Sequence, residues 1–416
     1  MEKRDFEETA RNLAGRIPFH WKIDFEKVLA GGGFDVVVGN PPYVEDRNYS
    51  EIDLKIIKSS KKVKRRRKRV KKPLFYHSRD CGNTHAYFIE RSIKLLKQKG
   101  RFGFIVPLAL VSTDRMKHIR EFIHGNSSDV KYYNFDDRPG KIFSGLEHCR
   151  ATIVVTGKGT GVEKITTSKY HRWFTKDRSK LFEDLKTTEW GIVSLEDTIP
   201  KIGTKIEISI LDKLQQKSDE KTIGDSIEDE GTMIWYHNAP QYWIHAHTQD
   251  YLPMVEYFDG YKEDSKTGEK IPNNLVETKI SSHYKPLILD PQNSSIINGL
   301  LNSSLFYWWF VIWSDGRDLL KKHIESFYID VGKFPEDLKE KLEPLVHELM
   351  ERYDENSNIK INQRSEGYVI KIKEIIPSKS FRIIDQIDDV FADYFEFTEE
   401  QKDFIKKFDI EFRIKD

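Results

Sequence analysis

Four consecutive residues, Asn40-Pro41-Pro42-Tyr43, have types and an order that could do chemistry. An asparagine side-chain oxygen and the carbonyl of the following proline are two acceptors that can converge on one exocyclic NH2 group. Such a grip holds the nitrogen and pushes it toward tetrahedral character, freeing its lone pair to attack an electrophile. Two successive prolines fix φ twice, so the loop is stiff and the Pro41 carbonyl can be aimed. Tyr43 adds a flat face on which a purine can stack. The bland reading of Asn-Pro-Pro is a turn that ends a strand. What favours the chemical reading is the apolar run Phe34-Asp35-Val36-Val37-Val38 directly before it. That run predicts a strand buried on both faces of a parallel sheet, and open α/β sheets bind ligands at the carboxyl ends of their strands.

The elements that must position this loop can be read on either side of it. Ala86, Ile89, Ile93 and Leu96 recur at three- and four-residue steps, predicting a helix with Asn83 or Thr84 as N-cap and Gly100 as its stop. A second buried strand, Phe102 to Pro107, follows. Strand, helix and strand make a parallel crossover, so the fold class is α/β in this region. A helix over 113–123 and strands over 130–134 and 151–155 extend it. Beyond about Thr175 the alternation stops, and short strand-like runs (233–236, 242–245, 286–289) mix with loops, which predicts an α+β domain. Leu338, Leu342, Leu345 and Leu349 form a helical stripe interrupted by Pro344. Ile383, Ile384, Ile387, Val390, Phe391 and Tyr394 form another, and Thr398 to Gln401 is a capping box. The predicted domains are 1–175, 176–376 and a helical tail, 377–416.

The chain has 416 residues, 38% hydrophobic and 32% charged, with a mean hydropathy of -0.61. That length favours several domains, and the apolar content suffices for packed cores. Cys81 and Cys149 form no CxxC pair, which argues against a disulfide scaffold or a cysteine-rich zinc site and fits a reducing cytoplasm. The longest apolar run, Leu305 to Trp313, is too short to span a bilayer, and the charged N-terminus is unlike a signal peptide; no membrane association is expected. The net charge of +1 hides an asymmetry: residues 55–72 hold 12 Lys or Arg and no acid, leaving -11 on the rest.

In this order the blocks resemble the adenine-N6 DNA methyltransferases of restriction-modification systems, especially the large single-chain type IIG kind. The resemblance rests on 19–25, the Gly33–Tyr43 segment, Phe88-Ile-Glu-Arg, 94–107, Asp136-Asp-Arg-Pro-Gly-Lys-Ile-Phe143, 150–155, 301–309 and Ile384-Asp-Gln-Ile-Asp388. It implies a partial Rossmann-like methyltransferase sheet, a target-recognition domain after about Trp190, double-stranded DNA as partner and S-adenosylmethionine as cofactor. It further implies that Asn40 and the Pro41 carbonyl bind the N6 amine of an adenine extruded from the duplex. Pro42 would stiffen the loop, and Tyr43 and Phe143 would stack on the base from opposite sides. Phe88, with Pro41, would line the cofactor side; a core position on its helix explains Phe88 equally well.

Family members of this order carry a glycine-rich turn and a ribose-binding acid ahead of the catalytic loop. The chain starts too late to contain them, and Gly31-Gly-Gly33 precedes its strand instead of following one, so it is not the cofactor loop. The expectation is a carboxyl-terminal portion that needs an amino-terminal half encoded upstream. The basic run, with Lys61, Lys62, Lys64, Arg65, Arg66, Arg67, Lys68 and Arg69 at its centre, either contacts DNA phosphates or is a solvated insertion. Trp235, Tyr236, Tyr242, Trp243, Trp308 and Trp309 read as core before base contacts. His245 and His247 alternate without a third ligand, so no metal is expected. The alternatives are a non-catalytic DNA-recognition remnant or subunit, a protein-glutamine methyltransferase, and cytosine-N4 methylation. No nuclease cluster stands out.

Overall fold

The computed structural model describes residues 21–45, 77–143, 145, 149–183, 185–191, 198–265, 267–363 and 367–414. The basic run at 61–72 lies outside the described residues. The chain divides into two compact units, Met1–Gly203 and Thr204–Asp416.

The first unit is built on a mixed six-stranded sheet of order β1-β2-β4-β3-β5-β6. A short helix, α1 (Glu26–Ala30), leads through glycines into β1 (Phe34–Gly39). Gly33 has φ +118°, and a Cβ there would lie 2.4 Å from the Leu95 carbonyl, so only glycine makes this entry. After β1 come α2 (Thr84–Leu95) and β2 (Leu96–Pro107), and β1 and β2 pair in parallel. α3 (Lys117–Gly125), β3 (Ser127–Phe135), β4 (Ala151–Lys158), β5 (Lys164–His171) and β6 (Thr187–Gly191) complete the unit. β4 runs antiparallel to both β2 and β3, and β5 lies parallel to β3. The sheet therefore continues past Thr175 to Gly191. Because β1, β2 and β3 all point the same way, their carboxyl ends share one edge, and β4 starts from that edge.

Two expectations need correcting. Asn83 caps α2, its side chain accepting from the His85 amide at 3.3 Å, but the helix ends at Leu95, not at Gly100. Leu96 is already extended, and Gly100 lies inside β2, where a Cβ would meet the Phe34 carbonyl at 2.9 Å. Gly100 is there to let β1 approach. The second concerns β1: its apolar run predicts a strand buried on both faces, whereas the lack of the family's cofactor-binding strands predicts an open apolar edge, and β1 follows the latter. It is the edge strand of the sheet, with Val36 59% and Val38 76% exposed and no second strand partner among the described residues.

The second unit opens with α4 (Lys205–Ser218), whose N-cap Thr204 forms a capping box with Glu207. β7 (Ile227–His237), β8 (Ala246–Thr248) and β13 (Tyr284–Leu289) form one antiparallel sheet of order β13-β7-β8. A second sheet has the order β12-β9-β15-β14, from β9 (Met254–Phe258), β12 (Leu275–Ile280), β14 (Asn358–Gln363) and β15 (Val369–Glu374). The small hairpin of β10 (Tyr261–Glu263) and β11 (Lys270–Pro272) stands apart. The 242–245 run is not a strand; β8 begins at Ala246.

Around these sheets lie α5 (Ser294–Asn302), α6 (Ser304–Trp313), α7 (Glu336–Glu355), α8 (Phe381–Tyr394) and α9 (Glu399–Lys407). Every residue of α6 is buried, Trp308 and Trp309 among them. Each large side chain sequestered this way is worth roughly 1.5–3 kcal/mol. Gly299 lets α5 approach α7, since a Cβ there would touch Leu342 and Val346 at 3.0 and 3.1 Å. Pro344 lies within α7 without ending it. No single described helix is long and apolar enough to cross a membrane; α5 and α6 pass that test only as a pair bent by 68°.

Candidate active site

The loop Asn40–Tyr43 leaves the carboxyl end of β1 beside β2, where Gly39 pairs with Phe104. Asn40 and Pro42 are exposed, Pro41 is buried and Tyr43 is half-buried. The Tyr43 hydroxyl reaches both the Asn40 side-chain oxygen and the Ile105 carbonyl, the latter at 2.8 Å. One proton serves one acceptor at a time. Burial, and then the nearby Cys149 thiol, pushes the Tyr43 hydroxyl well above its ordinary value, so it stays a donor. The Asn40 oxygen therefore competes with the Ile105 carbonyl for this proton, and an incoming amine takes the place of the Tyr43 hydroxyl at Asn40, leaving the Ile105 carbonyl to accept that proton. The Pro41 carbonyl has no partner among the described residues.

The loop is held from α2. The Thr84 hydroxyl donates to the Pro42 carbonyl at 2.6 Å and accepts from the Val44 amide at 3.0 Å, and the Thr84 amide donates to the Val44 carbonyl at 3.0 Å. Below Tyr43 lies His85, fully buried, its ring edge-on at 6.4 Å and its Nδ1 2.6 Å from the Asn83 side-chain oxygen. Burial, reinforced by Arg115, lowers His85 to about 4, so it is neutral.

A second loop, 136–143, follows β3 at the same edge. Asp136 is 3% exposed and takes Arg172 Nε at 2.7 Å and Arg150 Nε at 3.3 Å. Burial opposes its ionisation, but the two guanidinium groups outweigh burial and hold the carboxyl below the usual range. Asp137 moves the other way: burial and the neighbouring Asp136 raise it against the pull of Arg150. The Gly140 amide donates to the Trp173 carbonyl at 2.8 Å, and Arg178 donates to the Lys141 and Ile142 carbonyls at 2.9 and 2.8 Å. Ile142 packs against Phe135, Trp173 and Leu181, and Phe143, half-buried, comes next. Topology thus brings Asn40–Tyr43 and Asp136–Phe143 to one sheet edge. Phe88 lies on α2 with 47% of its surface exposed, so it is not a core residue of its helix.

Thr84, His85, Arg172 and Arg178 were missed in the sequence. Nothing in their spacing marks them; only the α2 N-cap signal at 83–84 pointed to the right place. Among the described residues no group of three or more His, Cys, Asp or Glu could hold a metal ion. His245 Nδ1 lies 2.9 Å from His247 Nε2, inside a buried aromatic cluster with His237, Tyr284 and Tyr353. As for S-adenosylmethionine, the described residues offer the exposed Phe88 ring and the end of β1, but the Gly31–Gly33 turn enters β1 instead of leaving a strand. That is one wall and not a cradle.

Residues 2–143 match the family model of the Eco57I restriction-modification methylase. RM.MjaORFECS2P of Methanocaldococcus jannaschii is 30% identical over 207 residues, a stretch covering 49% of this chain and 15% of that one. The type II restriction enzyme and methyltransferase RM.Eco57I of Escherichia coli is 33% identical over 102 residues (24% and 9%), and the type II methyltransferase M.HincII of Haemophilus influenzae is 31% identical over 134 (32% and 24%). The matched stretches thus span a quarter or less of each relative. Among solved structures, the type IIL restriction-modification enzyme MmeI in complex with DNA covers 96% of this chain and 63% of its own, at 10% identity and a TM-score of 0.41. The sequence matches make this chain similar to type II restriction-modification methyltransferases, with the family model matching residues 2–143.

Proposed function

We propose that this chain carries the base-binding wall of a DNA adenine-N6 methyltransferase belonging to a restriction-modification or related defence system. The observation that carries the proposal is the succession, at the carboxyl end of β1, of the Asn40 side-chain oxygen and the Pro41 carbonyl, the latter without a partner among the described residues. These two acceptors take the two N–H groups of one exocyclic amine. The adenine must leave the duplex to reach them, since N6 lies inside the base stack. Tyr43 turns from Asn40 to stack on the base, and Phe143 closes on it from the neighbouring loop. S-adenosylmethionine supplies the methyl group when bound. Phe88 and Pro41 would hold it on one side, and its remaining contacts would have to come from elements that extend the sheet beyond β1. The exposed valines of β1 support such an addition, because a long apolar edge strand is a state that folded proteins cover. An amino-terminal half encoded upstream is the partner that fits it. The basic run at 61–72 and the second unit would engage double-stranded DNA, the second unit as target-recognition domain.

The test is expression of the chain together with the upstream reading frame in cells free of adenine methylation, followed by genome-wide mapping of N6-methyladenine. Marks at one sequence motif are expected, and Asn40→Ala should abolish them. Full marking by the Asn40→Ala protein would refute the proposal. The same exposed edge favours a second reading, a DNA-recognition remnant without catalysis. Sequence-specific DNA binding with no methylation under any pairing would select it.

A further inference from the structure

We propose that Thr84 is a positioning residue for the Asn40–Tyr43 loop, locking its backbone while leaving the Tyr43 ring free to turn. The inference rests on the proposed amine-binding role of that loop and adds a residue to it from a different element. Prolines 41 and 42 fix their own φ angles and hold the residue before each in the extended region, but the ψ of Pro42 and both backbone angles of Tyr43 remain soft. Thr84 removes that freedom from both ends. Its hydroxyl donates to the Pro42 carbonyl at 2.6 Å and accepts from the Val44 amide at 3.0 Å. Its amide donates to the Val44 carbonyl at 3.0 Å. The peptide groups flanking Tyr43 are thus clamped by a side chain that is only 5% exposed. One hydroxyl is used fully, with its proton given and a lone pair taken.

The consequence for the site is selective. The Pro42 carbonyl is occupied, the Pro41 carbonyl has no partner among the described residues, and the Tyr43 side chain is held only through its hydroxyl, so its ring would turn about a fixed backbone once those hydrogen bonds are given up. The clamp is itself anchored, because Asn83 caps α2 through the His85 amide at 3.3 Å and bridges to Glu45, which pairs with Arg115 at 3.1 Å. Threonine offers both hydrogen-bonding roles at a helix start; valine has its shape without either.

Hydrogen exchange of the full chain reads the clamp directly. In Thr84→Val the peptide covering residues 40–45 is expected to exchange at least about tenfold faster than in the wild type, whereas Thr84→Ser keeps the hydroxyl and stays within about twofold. Thr84→Ala serves the same comparison where the valine does not fold. Asn83→Ala is the control for general fraying of α2: equal loosening of 40–45 in that variant overturns the inference, as does unchanged exchange in Thr84→Val. In the reconstituted methylation assay, Thr84→Val should lower turnover by about 10- to 100-fold with DNA affinity within about twofold, and Thr84→Ser should restore it. Absence of methylation by the wild type would count against the proposed function alone, since the exchange measurement needs no activity.

Discussion

Acidification should unfold the second unit through its buried histidines. His237 and His245 stack at 4.8 Å, His245 meets His247, and His237 lies 5.6 Å from His283. Burial, then neighbouring His283, lowers His237 to about 4; burial, then His237 and Lys373, lowers His247 to about 3. Burial, with both neighbours, takes His245 well below its ordinary value. An unfolded histidine titrates near 6.5. Each of these groups therefore contributes stability that is complete above pH 6.5 and is lost as pH falls toward its folded value. At pH 5 the loss is about 2 kcal/mol each for His237 and His247, and His245 acts in the same direction. Asp388 opposes them. Burial pushes it up to about 6, so it disfavours the fold at neutral pH and recovers about 1 kcal/mol by pH 5. The histidines win by at least about 3 kcal/mol, a large part of a typical domain's 5–15 kcal/mol. Urea unfolding of the full chain at pH 7.5, 6 and 5 tests this. His247→Gln should lose about 2 kcal/mol less than the wild type between pH 7.5 and 5. Equal losses in the two proteins would refute the reasoning.

Two further outcomes can be measured, one from the geometry of the second unit and one from the basic run. Asp388 accepts the first amide of α6 from Ser304 at 2.8 Å, in a pocket shared with Arg413, whose guanidinium lies 3.8 Å above Trp243. Asp388→Ala should cost about 2 kcal/mol in urea unfolding at pH 7.5, whereas Asp388→Asn, which keeps an acceptor without a buried charge, should be no less stable than the wild type. Deleting Lys61 to Lys72 should flatten the dependence of DNA affinity on salt, by close to one unit of log-log slope for each phosphate contact removed; an unchanged slope would make the run a solvated insertion.

How far these features could be read in advance depended on the range of the interactions behind them. The Asn40–Tyr43 turn, the Asn83 cap and the Thr398–Gln401 box are local chemistry, and each stands where its residues foretold. The strands 127–135 and 151–158 were legible because apolar runs persist over several residues. The exposure of β1 was legible only indirectly: Val36 to Val38 are apolar enough for a covered strand, and it was the lack of the family's cofactor-binding blocks ahead of the loop, not the strand's own residues, that pointed to an open edge. Gly100 misled for a related reason, since glycine ends helices and also admits a close strand, and only the Phe34 carbonyl decides between the two. The clamp on the loop was invisible because Thr84 lies 42 residues from the carbonyl it holds. The Asp136 anchorage depends on Arg172, 36 residues away and outside any motif.

The exposed edge of β1 also has a consequence outside the folded molecule. The outer side of β1 beside Val36 and Val38, without a strand partner among the described residues, offers a template on which a second copy, or any extended polypeptide, can lay down another layer. Newly made chains thus face a race between finding their proper cover and stacking on one another.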